Sequence, residues 1–143
     1  MADLVKLFNI TARDFAKAGE SSLQIQKSSL KSIGFEPDLI RRISICAYEA
    51  EMNAVMHGGD GELLLTVDPK NIVLEVSDDG PGIKDVELAL REGYSTATPE
   101  HREMGFGAGM GLPNINKNAD SLAINSLDGR GTHLRIKFKV GDS

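Results

Sequence analysis

The run "THLRIKFKV", residues 132–140, alternates without a fault. Thr132, Leu134, Ile136, Phe138 and Val140 fall on one side, and His133, Arg135, Lys137 and Lys139 on the other. A period of two predicts a strand with one dry and one wet face. A different period governs residues 37–57, where Ile40, Ile43, Ala47, Ala50 and Ala54 recur in steps of three and four and predict an amphipathic helix. Pro37 suits its first turn, where the missing N–H has no intrahelical partner to lose, and Gly58 and Gly59 suit its end.

Read the same way, "LVKLFNI" predicts an opening strand, and residues from about 14 to 33 a helix with Leu23, Leu30 and Ile33 on one side and Gly34 as its stop. "ELLLTV" and "NIVLEVS" predict a hairpin around Asp68-Pro69-Lys70-Asn71, since proline presets the turn. Beyond a glycine-rich region come a short helix with Pro113 near its start, the strand "SLAINS" and a turn at Asp128-Gly129. A doubly wound nucleotide fold would show near-continuous apolar strands. The alternation predicts instead an α+β fold, a two-layer α/β sandwich whose mixed, mainly antiparallel sheet carries helices on one face. No repeat, low-complexity tract or shift in composition marks a second domain within the 143 residues.

Composition narrows the function. A chain of this length buries roughly two-thirds of its unfolded surface without metal or disulfide staples. The single cysteine, Cys46, cannot form an intramolecular disulfide. The opening "MADLVKLFNI" is too short and polar for a signal peptide, and the apolar run "LLLTV" is far below membrane-spanning length, so a soluble cytoplasmic protein without a membrane partner is expected. A net charge of −5 argues against direct nucleic-acid binding, which normally needs a clustered basic surface. A small polyanion can still be held by backbone N–H groups, a metal ion or a few local cations.

Candidate chemistry concentrates in three places. Glu49, Asn53 and His57 stand four apart on the predicted helix, so they stack along one edge beside its apolar stripe. In "EVSDDGPGI" a strand ends at Asp78 and runs into Gly80 and Gly82, where the backbone can approach a ligand closely. In "REMGFGAGMGLPNI", glycines 105, 107, 109 and 111 lead into the short helix, an arrangement suited to an anion. Each motif alone has a plain structural reading: a solvated helix edge, a tight turn after a strand, and a glycine-rich loop without the βαβ setting of a dinucleotide site. Their order and context say more.

E-x-x-x-N-A on a helix, D-x-G-x-G after a strand, and a segment ending in G-x-G-x-G-L together resemble the ATP-binding domain of the GHKL superfamily, shared by gyrases, heat-shock chaperones, histidine kinases and mismatch-repair ATPases. "MNAVMHG", "DDGPGI", "GMGLPNI" and "GRGT" resemble most the stand-alone anti-sigma-factor and switch-protein serine/threonine kinases, from about residue 8 to the C-terminus. The resemblance implies a Bergerat-type fold with ATP and Mg²⁺ as cofactors. It implies that Asn53 gives its side-chain oxygen to Mg²⁺ and that Asp78 accepts the adenine amino N–H, with Gly80 and Gly82 against the base. Gly107, Gly109, Gly111 and Leu112 then hold the phosphates, Thr132 supports the adenine end, and Glu49 is the general base. Residues 83–104 would form an ATP lid with "VELALRE" as a helix within it, from which Arg102 reaches the γ-phosphate; a solvated lid charge is the plainer reading for Arg102, as for Lys84. Relatives often end the helix in His-Gly, although the macrodipole alone favours His57 there.

The implied partner is a small antagonist or switch protein carrying a phosphoacceptor serine or threonine, with a sigma factor or similar regulator and a second copy of the chain also admitted. Two readings compete with the kinase: an ATP-gated binding module without phosphotransfer, and a detached histidine-kinase catalytic domain, disfavoured by Glu49 and by the lack of a preceding phosphoacceptor helix. One departure stands out. Glu51, where relatives are usually apolar or small, lies about 200° around the helix from Glu49 and is expected at the surface.

Overall fold

The computed structural model describes residues 4–10, 35–57, 60–80, 111–126 and 131–140. Among them are β1 (Leu4–Ile10), α1 (Pro37–His57), β2 (Gly61–Val67), β3 (Asn71–Asp78), α2 (Gly111–Asn118), β4 (Ser121–Ser126) and β5 (Thr132–Lys139). The strands lie in the order β1-β2-β3-β5-β4, and every neighbouring pair is antiparallel. The helix expected over residues 14–33, the turn at Asp128-Gly129 and the expected lid lie outside the described residues.

Local chemistry accounts for the elements. In the β2–β3 turn, Asp68 Oδ1 accepts the backbone N–H groups of Lys70 at 2.8 Å and Asn71 at 2.7 Å. These two bonds hold its carboxyl below the usual carboxylate range. The turn therefore sets the register: Val67 faces Ile72, Leu65 faces Leu74 and Leu63 faces Val76. Across β3, Phe138, Ile136 and Leu134 of β5 meet the same three residues. Directly opposed residues share a face, so three apolar rows cross the middle of the sheet, and all nine side chains are buried.

α1 covers that face. Of the predicted stripe, Ile43, Ala47, Ala50 and Ala54 are each at most 1% exposed and join the sheet in one core with Leu112 and Ile115 of α2, while Ile40 is partly buried at its edge. The outer face of the sheet carries most of the charged positions of β2, β3 and β5, including Glu75 opposite Arg135 at 3.3 Å. At half exposure such a pair contributes little. Val5 and Leu7 on β1 are 57% exposed. Among the described residues, no helix is long and apolar enough to cross a membrane.

Glu51 corrects the sequence reading: it is 4% exposed, not at the surface. Over Ala50–Val55 burial runs nearly all round α1, taking in Glu51 and Met52 with the stripe, while Asn53 stays half-buried. A helix enclosed on more than one side loses the simple two-faced pattern from which periodicity predicts exposure.

Phe138 is fully buried in the row nearest the β2–β3 turn, beneath the Arg42 guanidinium, whose carbon lies 5.8 Å from the ring centre. Phe138→Ala is expected to lower the unfolding free energy by about 3–5 kcal/mol, read as a lower urea midpoint at unchanged m. A midpoint equal to the parent's would show that this row is not part of the cooperative core.

Candidate functional site

The three apolar rows are followed by a fourth of different character. At the end of the sheet away from the β2–β3 turn, Gly61, Asp78 and Thr132 stand opposite one another on β2, β3 and β5. By the alternation of the strands this row belongs to the inner face, so the core ends in a carboxylate and a hydroxyl rather than in another layer of aliphatic groups. Asp78 is half-buried, and Thr132 is buried. Two glycines let the backbone close up around Asp78. A Cβ on Gly61 would collide with the Ser77 carbonyl oxygen, and one on Gly131, whose φ is +85°, with that of Asp78. Beyond the strand, Asp78 Oδ1 accepts the Gly80 N–H at 2.9 Å, and the Asp79 N–H reaches the Asp60 carbonyl at 3.1 Å. The D-x-G turn is thereby pinned to the start of β2.

A second corner forms where α2 lies against α1. Arg42 Nε donates to the Asn118 carbonyl at 2.9 Å, and the Cys46 thiol lies 3.7 Å from the Ile115 carbonyl. One step further along α1, Glu49 Oε2 accepts Nδ2 of Asn114 at 2.8 Å. Arg42, Cys46, Glu49 and Asn53 are spaced four, three and four apart, so they share one side of α1. As the numbers rise along α1 they fall along α2, which makes the helices antiparallel and carries Asn53 toward Gly111, where α2 begins. Arg42 satisfies the Asn118 carbonyl, one that a helix C-terminus leaves without an intrahelical partner, and the cation there also suits the helix dipole; the Ile115 carbonyl takes the Cys46 thiol in addition to the Ala119 N–H at 2.9 Å. Asp120 completes the anchor: Oδ2 takes the Lys139 N–H at 2.7 Å, and Oδ1 lies 3.5 Å from Arg42 Nη2.

The structure thus brings Glu49 to the α1–α2 seam, with Asn53 half-buried one turn further along the same side of α1, and Asp78, Gly80 and Thr132 to the sheet end. Leu112 is buried in the core on the first turn of α2, and Gly111 opens that helix. Gly82, Lys84, Arg102, Gly107 and Gly109 lie outside the described residues, as does the side chain of His57. No group of three or more His, Cys, Asp or Glu side chains suited to a metal occurs among the described residues. Two contributors escaped the sequence reading. Gly61 carries no local signal, since only the strand pairing places it beside Asp78. Asn114 sits inside the quoted "GMGLPNI", yet its partner is 65 residues away.

Among known proteins, residues 16–138 match the profile of the histidine kinase-like ATPase domain. The chain belongs to that family. Relatives of this ATPase domain include the serine/threonine-protein kinase RsbT of Bacillus subtilis, 27% identical over 116 residues, or 78% of this chain and 81% of that protein. The anti-sigma F factor of a Thermoanaerobacter species is 31% identical over 107 residues, 71% of either chain. That of Clostridium acetobutylicum is 26% identical over 102 residues, 68% of either chain. The matched segment of the ATPase domain contains both corners of the site.

Burial pushes the Cys46 thiol up from 9.0 to about 12, with Arg42 opposing the shift and Glu49 adding to it. Between those values the folded chain keeps a proton that the unfolded chain has lost, so stability is full below the ordinary thiol range and falls as pH rises through the window. Urea unfolding between pH 8 and about 11 should show an alkaline decline in the parent, steeper than in Cys46→Ala by up to about 1.4 kcal/mol per pH unit. Parallel declines in the two proteins would place the seam's pH response elsewhere.

Proposed function

We propose that this protein is an ATP-dependent serine/threonine kinase of the anti-sigma-factor type, which binds Mg²⁺-ATP and phosphorylates a small regulatory partner in the cytoplasm. The observation that carries the reading is the seam. A half-buried carboxylate, Glu49, is held against the helix that follows the glycine-rich segment, with the amide of Asn53 one turn further along the same side of α1.

The residues fit the implied cofactor by the chemistry of their donors. The side-chain oxygen of Asn53 is a hard, neutral ligand, and Mg²⁺ takes few protein ligands because it keeps waters and phosphate oxygens. Asp78, fixed by the Gly80 N–H in a row with Gly61 and Thr132, presents a carboxylate where a base edge offers an N–H donor. The glycine-rich segment from Gly107 through Gly111, with Leu112 burying the first turn of α2, would hold the phosphates. Gly82 would lie against the base, and Arg102 would reach the γ-phosphate from a lid over residues 83–104. Bound Mg²⁺-ATP supplies the transferable phosphoryl group. Glu49 takes the proton of the partner's serine or threonine hydroxyl as its oxygen bonds to phosphorus and ADP leaves; a positioned base of this kind contributes about 10²- to 10⁴-fold.

The anti-sigma F factors among the relatives give weight to a partner that is a transcription regulator or its antagonist. A pull-down with and without Mg²⁺-ATP, followed by radiolabelled transfer, tests the whole reading. The parent should phosphorylate a recovered protein on serine or threonine, and Glu49→Gln should keep ATP affinity within a few-fold while losing transfer by about 10²- to 10⁴-fold. If the parent transfers no phosphate to any ATP-dependent partner, the ATP-gated binding module is the better description.

The adenine assignment has its own test. Asp78→Asn replaces an acceptor-only group by one that presents an NH₂, leaving a buried bond to the base unmade. Calorimetry should show ATP affinity falling by at least ten-fold, and equal affinities for variant and parent would move the base-binding role away from Asp78.

A further inference from the structure

We propose that Asn114 is a positioning residue for phosphotransfer, whose side-chain amide holds the Glu49 carboxylate in the orientation in which it accepts the hydroxyl proton. This rests on the reading of Glu49 as the base and goes beyond it by assigning what aims that base.

The bond from Nδ2 of Asn114 to Oε2 of Glu49 is 2.8 Å long and part-buried. Its direction follows from the chemistry, since an ionised carboxylate only accepts and the NH₂ side of the amide must face it. Asn114 cannot itself take the proton, which leaves orientation as its contribution. Glu49 would otherwise turn freely about its side-chain torsions at the edge of α1. With Oε2 engaged, the second oxygen keeps its lone pairs for the incoming proton.

The donor is itself held. Asn118 Nδ2 donates to the Asn114 carbonyl at 2.8 Å, and Arg42 Nε donates in turn to the Asn118 carbonyl at 2.9 Å. Ile115, the next residue, is fully buried and accepts the Cys46 thiol. The chain Arg42, Asn118, Asn114, Glu49 therefore begins and ends on α1 and passes through α2. Because α2 starts at Gly111, three residues before Asn114, the base is aimed only when the helix following the phosphate-loop glycines is seated.

A purely structural tie between α1 and α2 would show the same hydrogen bond, so the test is a double-mutant cycle on phosphotransfer to the partner recovered by pull-down. Asn114→Ala removes the donor, and Asn114→Asp removes it at nearly constant shape; melting curves and ATP affinity establish that each folds. In the parent background both should lower kcat between about ten- and a hundred-fold, with KM for ATP within two-fold, as expected for a misplaced rather than a missing group. In the Glu49→Gln background the same changes should alter the residual rate by less than about two-fold, because groups acting as one unit are not additive. Effects that multiply across the cycle would overturn the proposal, as would an Asn114→Asp protein transferring at the parental rate. A parent that transfers no phosphate removes the kinase reading and this proposal with it, whereas a parent that transfers while Asn114→Asp matches it removes only the positioning role.

Discussion

Ile43, Ala47, Ala50 and Ala54 lie against the inner face of the sheet, and the burial of that stripe sets the rotation of α1 about its own axis. Three of the four are alanines, so helix and sheet approach closely and a modest turn of the helix would lose contacts along its whole length. Once the stripe is docked, the side of α1 bearing Arg42, Cys46, Glu49 and Asn53 is fixed as well, and it becomes the seat for α2. The polar seam is thus a consequence of apolar packing. The hydrogen bonds across it choose among poses that the core has already restricted.

The same division holds at the sheet end. Three apolar rows give the sheet its hydrophobic stabilisation, and the fourth, Gly61-Asp78-Thr132, gives some of it up. A carboxylate at a core-facing position is costly unless its oxygens are engaged, and Asp78 is engaged by the turn it initiates. Gly61 and Gly131 supply the close backbone approach that this geometry needs. Giving up a fourth aliphatic row leaves a polar floor at the end of the core, on paired strands.

α2 is anchored at both ends. Its last carbonyls are tied to Arg42 and Cys46, the chain just beyond it to β5 through Asp120, and its first turn is held by Leu112 in the core and by the bond from Asn114 to Glu49. This helix follows the glycine-rich segment in sequence and meets Glu49, the proposed base, through Asn114.

Much of this was legible in the sequence. β1, α1, the β2–β3 hairpin, α2, β4 and β5 follow from periodicity and turn chemistry, because alternation and three-four spacing report directly which side chains one surface can bury. The motifs around Glu49, Asn53, Asp78 and Gly111 were legible because each is contiguous in the chain. What the tertiary structure alone decided depends on residues distant in sequence. The burial of Glu51 on a helix enclosed from more than one side could not be read from one helix's period. The pairing of Asp78 with Gly61 and Thr132 required strand register, and the bond from Asn114 to Glu49 required α2 to settle antiparallel on α1. Local pattern determines which face an element buries, whereas the partner that meets its polar edge is chosen only when the elements pack.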